Sequence, residues 1–338
     1  MSLSSDVIVI GAGVLGLASA AELSARGLSV IVIDAGGPNA SSVAAGMIAP
    51  AMESALDDPP AETVELLKTA RALWPAFAAR HGLTLIEDGA GWRGPDAEGI
   101  EARLRAHGFR TVRTKNGLRA PDDARIDAVA ALEALGHGSR RVPSRARSVI
   151  RVDGGWVVTT EDGRETTGRR LVLATGAGRA LGGLPARVAG LIRAVTPVRG
   201  QLAFVPGAAP DVPTRTRAGY AVPVAGGMLI GASMEAGRRD LTPDPAAARS
   251  RIRAVCEVLE LPAGDAEPRV GIRGALPDGL PAAGELDGVV VALAPRRNGW
   301  LLAPLVAGVV ADAVQGTPPG PHAASLDPTR PGLIAPAG

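Results

Sequence analysis

Asp6-Val-Ile-Val-Ile10, Gly11-Ala-Gly13-Val-Leu-Gly16 and, after a helix of small residues, Ser29-Val-Ile-Val-Ile33-Asp34 open the chain in that order. A buried strand runs into a glycine turn, a helix follows, and a second strand ends in a carboxylate. This is the order of the βαβ unit that binds a dinucleotide, FAD or NAD. Gly11 permits the tight turn, Gly13 lets the backbone approach a pyrophosphate, and Gly16 lets the helix sit close on the sheet. The helix N-terminus offers free N–H groups and partial positive charge to phosphates. Asp34 lies near the spacing expected of an acid that holds a ribose hydroxyl.

A second strand-to-glycine junction, Arg170-Leu-Val-Leu-Ala174 into Thr175-Gly-Ala-Gly178, is expected beside the same cofactor. Between the two junctions, Gly36–Pro50 is rich in small residues. Thr63–His81 has helical periodicity, and Glu98–His107 is a charged helical piece. Arg147–Val152 and Gly155–Thr160, parted by Asp153-Gly154, read as a hairpin. Further on, Val195–Val205 and Tyr220–Ser233 have strand character. Thr242-Pro-Asp-Pro245 starts an amphipathic helix, Ala246–Leu261, with proline where its missing N–H costs little. The nucleotide signals fall at the beginning, middle and end of the chain. The intervening segments are therefore expected to build a second domain inserted into the first. The tail after Gly316, rich in Pro, Gly and Ala, is expected to be poorly ordered.

Composition narrows the function. The chain has 338 residues, 46% of them hydrophobic, enough for two cores. Its net charge is +2, and all but two of the 36 basic residues are arginine, the exceptions being Lys68 and Lys115. The arginines are interleaved with acids and aromatics are few, which argues against nucleic acid. His81, His107, His137 and His322 share no metal-ligand spacing, so no metal site is expected. The single cysteine, Cys256, excludes an internal disulfide, fits a reducing cytoplasm and reads as a small buried hydrophobe. The first strand begins almost at once, leaving no room for a signal peptide. Val289–Val314 is apolar but is broken by Arg296, Arg297 and Asn298, which reads as strand, turn and buried helix rather than a membrane span.

Four patches together resemble the D-amino-acid oxidase superfamily of FAD enzymes, and within it the glycine oxidases of thiamine biosynthesis. The first is the opening fingerprint. The second, Ser41-Ser-Val-Ala-Ala-Gly46-Met47-Ile-Ala-Pro50, is similar to the segment that passes beside the flavin ring. The third is Pro197-Val-Arg199-Gly200-Gln201, which resembles a run leading into the family's substrate domain. The fourth and most specific is Gly271-Ile-Arg273-Gly-Ala-Leu-Pro277-Asp278-Gly279-Leu-Pro281, followed by Arg297-Asn298-Gly299-Trp-Leu-Leu-Ala-Pro304. The chain departs from the pattern in three places. Val43 stands where members often carry an aromatic. Gly274 replaces a usual proline, and Ala294-Pro295-Arg296 replaces a common Gly-His-aromatic run. These departures leave FAD binding expected and the substrate open.

The resemblance implies an α/β fold: a Rossmann-like FAD-binding domain of the D-amino-acid oxidase type, with an inserted α+β substrate domain on a mainly antiparallel sheet. The expected boundaries are 1–80, 140–194 and 270–325 for the first, 81–139 and 195–269 for the second, and 326–338 for a loose tail. It implies non-covalent FAD along Gly11, Gly13, Val14, Leu15, Gly16, Asp34, Ala35, Ser41, Ser42, Ala45, Gly46, Met47, Thr175 and Gly176. Asn298, Gly299, Trp300 and Leu301 begin a helix near the flavin end, with Arg273 and Arg297 close by. It implies that Arg273, and second Arg297, clamps a substrate carboxylate, since a guanidinium fork fixes both position and rotation. The hydroxyl of Tyr220, the only tyrosine, helps it. Arg296 has no family counterpart and reads as exposed, with narrowing of the entrance as the alternative. The implied reaction is oxidation of glycine or a small D- or secondary amino acid by hydride transfer to flavin N5, with oxygen as acceptor and peroxide as product. The alternatives are a dehydrogenase of similar substrates with another electron acceptor, a flavin-binding protein without amine oxidation and, from the opening motif alone, a nicotinamide dehydrogenase. A homo-oligomer is compatible with all of them.

Overall fold

The computed structural model describes residues 3–333. Leu3–Ile10 and Val30–Asp34 are parallel neighbours, with Val7 opposite Val30 and Ile10 opposite Ile33. Glu165–Leu173 runs parallel on the other side of Leu3–Ile10, and its last residues pair with Val290 and Val291 of the strand Val289–Leu293. Arg140–Pro143 pairs with the far side of Val30–Asp34. The central segments Val7–Ile10, Val30–Ile33, Leu171–Leu173 and Val289–Leu293 are apolar and buried because both faces are covered. On one face the helices Val14–Ala25, Ala61–His81 and Gly299–Gln315 bury Leu17, Trp74 and Val306 against Val7 and Val9. On the other, Leu191 and Ile192 pack with Trp156 over Ile8 and Ile10. The expected hairpin forms between Ala146–Val152 and Gly155–Thr160. It extends the first half of Glu165–Leu173 in antiparallel fashion, so one strand carries two partners along one edge.

A nine-stranded, mostly antiparallel sheet forms the other layer. Its spine is Thr196–Pro206, paired with Glu267–Ala275 from Thr196–Ala275 to Phe204–Glu267. Gly227–Gly231, Gly219–Val224 and Thr214–Thr216 follow, then Ala90–Arg93. The helix Pro245–Leu259 seats Ile252, Val255 and Cys256 on Ala203 and Ile230. Asp244 caps it, accepting from the Ala246 and Ala247 amides at 3.0 Å each. Cys256 is 2% exposed, as a core residue would be.

Two placements follow from packing rather than from local pattern. The helix Ala128–Gly136 turns Ala131, Leu132 and Leu135 into the core beneath Val14–Ala25. Arg273 rides on the antiparallel sheet, while Arg297 follows the strand Val289–Leu293 of the parallel one. The expectation of a loose tail is corrected as far as Leu333. Ala323–Leu326 is helical, Leu326 and Leu333 are buried, and Arg330 grips Asp278 at 2.7 Å. Its apolar side chains find the flank of the sheet, a long-range contact that composition does not reveal. Residues 334–338 of that tail lie outside the described residues.

The glycine turn is as tight as its sequence implies. Gly11 has φ +111°, and a Cβ on Gly16 would overlap the Gly11 carbonyl oxygen. Helix Pro50–Asp57 is held at its start by Asp123, 1% exposed, which accepts from the Ala51 and Met52 amides at 3.1 Å each. Burial pushes the Asp123 carboxyl up to about 7, against the pull of those two amides and of Arg215 and Arg71.

Gly16→Ala is expected to lower stability by about 1–3 kcal/mol through overpacking and to lower flavin content with it, measured by thermal melting and absorbance. Because Asp123 binds its proton more tightly folded than unfolded, its protonated form stabilises the fold at acid pH. That contribution fades as pH rises from about 4 to about 7 and is flat above. The Tm of the wild type should therefore fall relative to Asp123→Asn between pH 4.5 and pH 7.5; a constant difference would reject the assignment.

Candidate active site

The C-terminal edge of the parallel strands opens on a cleft with about 600 Å³ of unfilled space. Gly13, Val14, Leu15, Ser41, Gly176, Arg273, Arg297, Gly299 and Trp300 line it, so residues from three of the four sequence patches and from the second strand-to-glycine junction converge there, without the patch Pro197–Gln201. Gly11 and Gly16 stand behind it and shape the turn. Asp34 accepts from the Ala12 amide at 2.8 Å and the Gly36 amide at 2.7 Å, tying the end of its strand to the turn. Ala35 beside it is exposed. The Ser41 hydroxyl accepts from the Val14 amide at 3.0 Å, and the Ser41 carbonyl accepts from the Trp300 indole at 3.1 Å. Ser41 thus joins the turn to the helix Gly299–Gln315. Ser42 spends its hydroxyl in a reciprocal cap with Asn39. Ala45 and Gly46 are buried and Met47 is half-buried, Gly46 at φ +70° against the Ile126 carbonyl. Asn298 precedes the helix. Leu301 is turned into the core, and its carbonyl accepts from Trp74 at 3.1 Å.

The cleft fits a dinucleotide. The helix Val14–Ala25 starts at Gly13, which has no side chain to cap it, and beyond the Val14 amide held by Ser41 its N-terminus is of the kind that receives a phosphate; a Cβ on Gly13 would lie 3.4 Å from the Ser41 hydroxyl. At the end of the neighbouring strand the Thr175 hydroxyl is buried without a hydrogen-bond partner among the described residues, and Gly176 at φ +59° leaves open space beside it. A flavin's polar ring atoms and ribityl hydroxyls are the kind of group such a hydroxyl would pair with.

Deeper in, two polar side chains rest on glycines. Strand register puts Arg273 opposite Val198, and its guanidinium lies across Gly200, where a Cβ would be 2.6 Å from three of its atoms. Tyr220 lies opposite Gly231, where a Cβ would be 2.5 Å from the phenol oxygen. Arg273 donates to the Ser233 carbonyl at 3.2 Å and touches the Met234 sulfur at 2.8 Å, with no carboxylate in ion-pair contact among the described residues. Burial pulls its pKa down, opposed by the nearby Tyr220 and Glu53. A guanidinium stays charged regardless, so it is a desolvated cation without a counter-ion. Burial raises the Tyr220 phenol, against the pull of Arg273 and Arg215, so it stays protonated and can donate.

Three further groups gave no sequence signal. Glu53, on the helix that Asp123 caps, is buried and bonded to both Arg215 and Arg297. Burial alone would raise its carboxyl, but the two guanidinium groups outweigh that and hold it below the usual range. Asp57, one turn on, accepts from Arg297 at 2.9 Å and from Arg296 at 3.1 Å. Arg297 gains more from these acids than it loses by burial, so its pKa is raised. Arg215 lies 5.4 Å from the centre of the Tyr220 ring. The only local hint was Glu53 and Asp57 spaced one helical turn apart after a proline that starts a helix. Arg296 lines the cleft, its side chain 40% exposed, which satisfies both readings of it. The expected absence of a metal site stands beside one observation: no group of three or more His, Cys, Asp or Glu suited to a metal occurs among the described residues. No described helix is long and apolar enough to cross a membrane.

Comparison with known proteins agrees with this geometry. Residues 6–313 match the family model DAO, FAD dependent oxidoreductase. The chain is 32% identical to a glycine oxidase of Geobacillus kaustophilus over 92% of its own length and 93% of the relative's. The crystal structure of glycine oxidase from that organism superposes with a TM-score of 0.82 at 25% identity, covering 97% of this chain and 99% of the other. A second kind of relative is the tRNA 5-methylaminomethyl-2-thiouridine biosynthesis bifunctional protein MnmC of Maricaulis maris, 30% identical over 97% of this chain but only 55% of that protein. The match spans nearly the whole chain, both sheets and the cleft between them: this protein belongs to the DAO family of FAD-dependent oxidoreductases.

Proposed function

We propose that this enzyme oxidises glycine or a small D- or secondary amino acid to the imino acid, with Arg273 as the carboxylate clamp. The observation that carries this is the desolvated guanidinium of Arg273, facing the cleft with no counter-ion and set beside the protonated hydroxyl of Tyr220. A carboxylate placed there receives the fork of the arginine and a hydrogen bond from the phenol. Two fixed contacts on one carboxylate orient the α-carbon, and orientation is a large part of the rate. When bound, FAD would supply a two-electron acceptor, flavin N5, for the hydride from the substrate α-carbon, with molecular oxygen as the proposed final acceptor giving hydrogen peroxide.

Gly13, Val14, Leu15 and Ser41 would hold the phosphates, Asp34 with Ala35 the ribose end, and Ala45, Gly46, Met47, Thr175 and Gly176 the flavin. The N-terminus of the helix Gly299–Gln315 would lie at the flavin end, where its field favours negative charge. Among the described residues no histidine lines the cleft, and Tyr220 holds its proton, so this lining offers no strong base for the ammonium. The substrate amine therefore reacts in its neutral form. The lone buried thiol of Cys256 is compatible with a reducing cytoplasm.

Arg273→Met is expected to lower kcat/KM for glycine or the preferred small amino acid at least a hundredfold, about 2.7 kcal/mol, while flavin content is retained. Gly200→Ala should displace the same guanidinium and weaken binding of acetate, read by perturbation of the flavin spectrum, with little change in Tm. The logarithm of kcat/KM should rise with pH until the free substrate amine is neutral and keep that midpoint in Tyr220→Phe. Anaerobic bleaching followed by air should give rapid recovery with one peroxide per flavin. A flavin that stays reduced would assign the electrons to another acceptor, and failure of every small amino acid to bleach it would overturn the proposal.

A further inference from the structure

Charge around the cleft does not balance for a monocarboxylate. Arg215, Arg296 and Arg297 join Glu53 and Asp57 in one chain of contacts, and Arg273, paired with neither acid, brings the guanidinium groups to four against two carboxylates. Asp123 stands behind the helix that carries both acids and spends its oxygens on that helix's amides. Two positive charges are left over, four less two. The carboxylate of an amino acid answers Arg273 and leaves one. The shared acids show where it lies. Glu53 is divided between Arg215 and Arg297, and Asp57 between Arg297 and Arg296, so the row ends in an arginine on each side: Arg215, buried away from the cleft lining, and Arg296, the end that borders the cleft.

The backbone aims Arg296 into this row. Neighbouring side chains on an extended chain point to opposite sides. Here Arg296 has φ +51°, in the left-handed region, and Arg296 and Arg297 reach the same Asp57 oxygen. The Arg296 amide donates to the Gly274 carbonyl at 2.9 Å, so the arginine that follows the parallel sheet starts one residue away from the clamp on the other. Its side chain passes Gly279, where an added Cβ would only touch it at 3.8 Å, and it borders the same cleft as Arg273. A half-exposed arginine with one shared acid retains unused donors on its fork.

We infer that Arg296 determines specificity, and that the enzyme prefers amino acids carrying a second carboxylate, which Arg296 receives at the mouth of the cleft while Arg273 holds the first. This rests on the function proposed above and adds the substrate class. The second carboxylate can sit on the α-substituent or on the nitrogen, since both leave the amine at the same α-carbon.

The test uses the flavin-loaded enzyme at low ionic strength. Rates of anaerobic bleaching are compared for glycine, D-alanine, D-aspartate, D-glutamate and iminodiacetate. At least one diacid should exceed glycine tenfold in kcat/KM. D-Aspartate and D-glutamate report a carboxylate on the α-carbon, and iminodiacetate one on the nitrogen. The ratio of diacid to glycine should fall about tenfold in Arg296→Met, fall further in Arg296→Glu and shrink as salt rises. A residue that only braces its loop would change both substrates together and leave the ratio alone. A second measurement needs no variant: malonate or succinate should perturb the wild-type flavin spectrum at least tenfold more tightly than acetate. Glycine oxidation with no diacid preferred, or a ratio unmoved in both variants, overturns this inference and leaves the proposed function standing. Bleaching by none of the five overturns the proposed function and this inference with it.

Discussion

One buried carboxylate between two guanidinium groups connects the parts of this molecule that chemistry requires to be fixed. Glu53 sits on the helix Pro50–Asp57, Arg215 on the antiparallel sheet and Arg297 on the turn after a strand of the parallel sheet. Neither arginine is free to follow solvent, because the acid they share is buried and would be left unpaired. Removing one partner of such a buried group costs about 3–5 kcal/mol, whereas replacing the whole set by apolar side chains is often neutral. Stability therefore does not explain the triad well. Register does: the helix, the sheet and the loop can close on the cleft in only one relative position if all three charges are to be satisfied.

The same cleft depends on groups that are missing. Arg273 and Tyr220 are large side chains on strands separated by two others, and each lies over a glycine on its neighbour, Gly200 and Gly231. A sheet normally fills both faces with alternating side chains. Here two omissions leave shallow troughs in which a guanidinium and a phenol lie along the sheet rather than standing up from it. Of the two, Arg273 borders the cleft. Gly11 and Gly16 do the corresponding work on the other sheet, letting a helix start against the strand edge so that its amides face the ligand. Backbone shape on both sides of the site is thus set by what Cβ atoms would obstruct.

This explains which features could be read from the chain alone. The glycine turn, the strand that ends at Thr175 and the helix after Asn298 are local, each a pattern of neighbours with its own mechanical reason. Arg273 stood out through its flanking motif, and Gly200 stood in a quoted motif without a reason until the register placed it beneath that arginine. Glu53, Arg215 and Asp57 were silent. Glu53 meets Arg215 across 162 residues and Arg297 across 244, so no window of sequence holds the pairing. The tail illustrates the opposite error. Its composition suggests a loose segment, yet Leu326 and Leu333 find apolar partners and Arg330 finds Asp278, contacts that exist only after the core has formed.

The loop Ala294–Arg297 shows how these constraints combine. Ala294 and Arg296 both have positive φ, 59° and 51°, a conformation that costs a residue with a Cβ about 1–2 kcal/mol. Glycine at either position would remove that cost, and the related pattern does carry glycine where Ala294 stands. The loop keeps its shape because it is held from several directions. The Arg296 amide binds the Gly274 carbonyl, Pro295 bridges Ala275, the Asn298 amide binds Pro295, and Asp57 takes both arginines. Strain that persists under so many restraints marks a place where geometry matters more than local comfort. What the geometry achieves is the juxtaposition of residues from two sheets: the strand of Arg273 and the turn of Arg297 are joined by one backbone hydrogen bond, next to the ring site. The separation of the Arg273 strand from that turn is therefore set by main chain, while the side chain of Arg296, 40% exposed against 18% for Arg297, keeps the freedom that the proposed specificity requires.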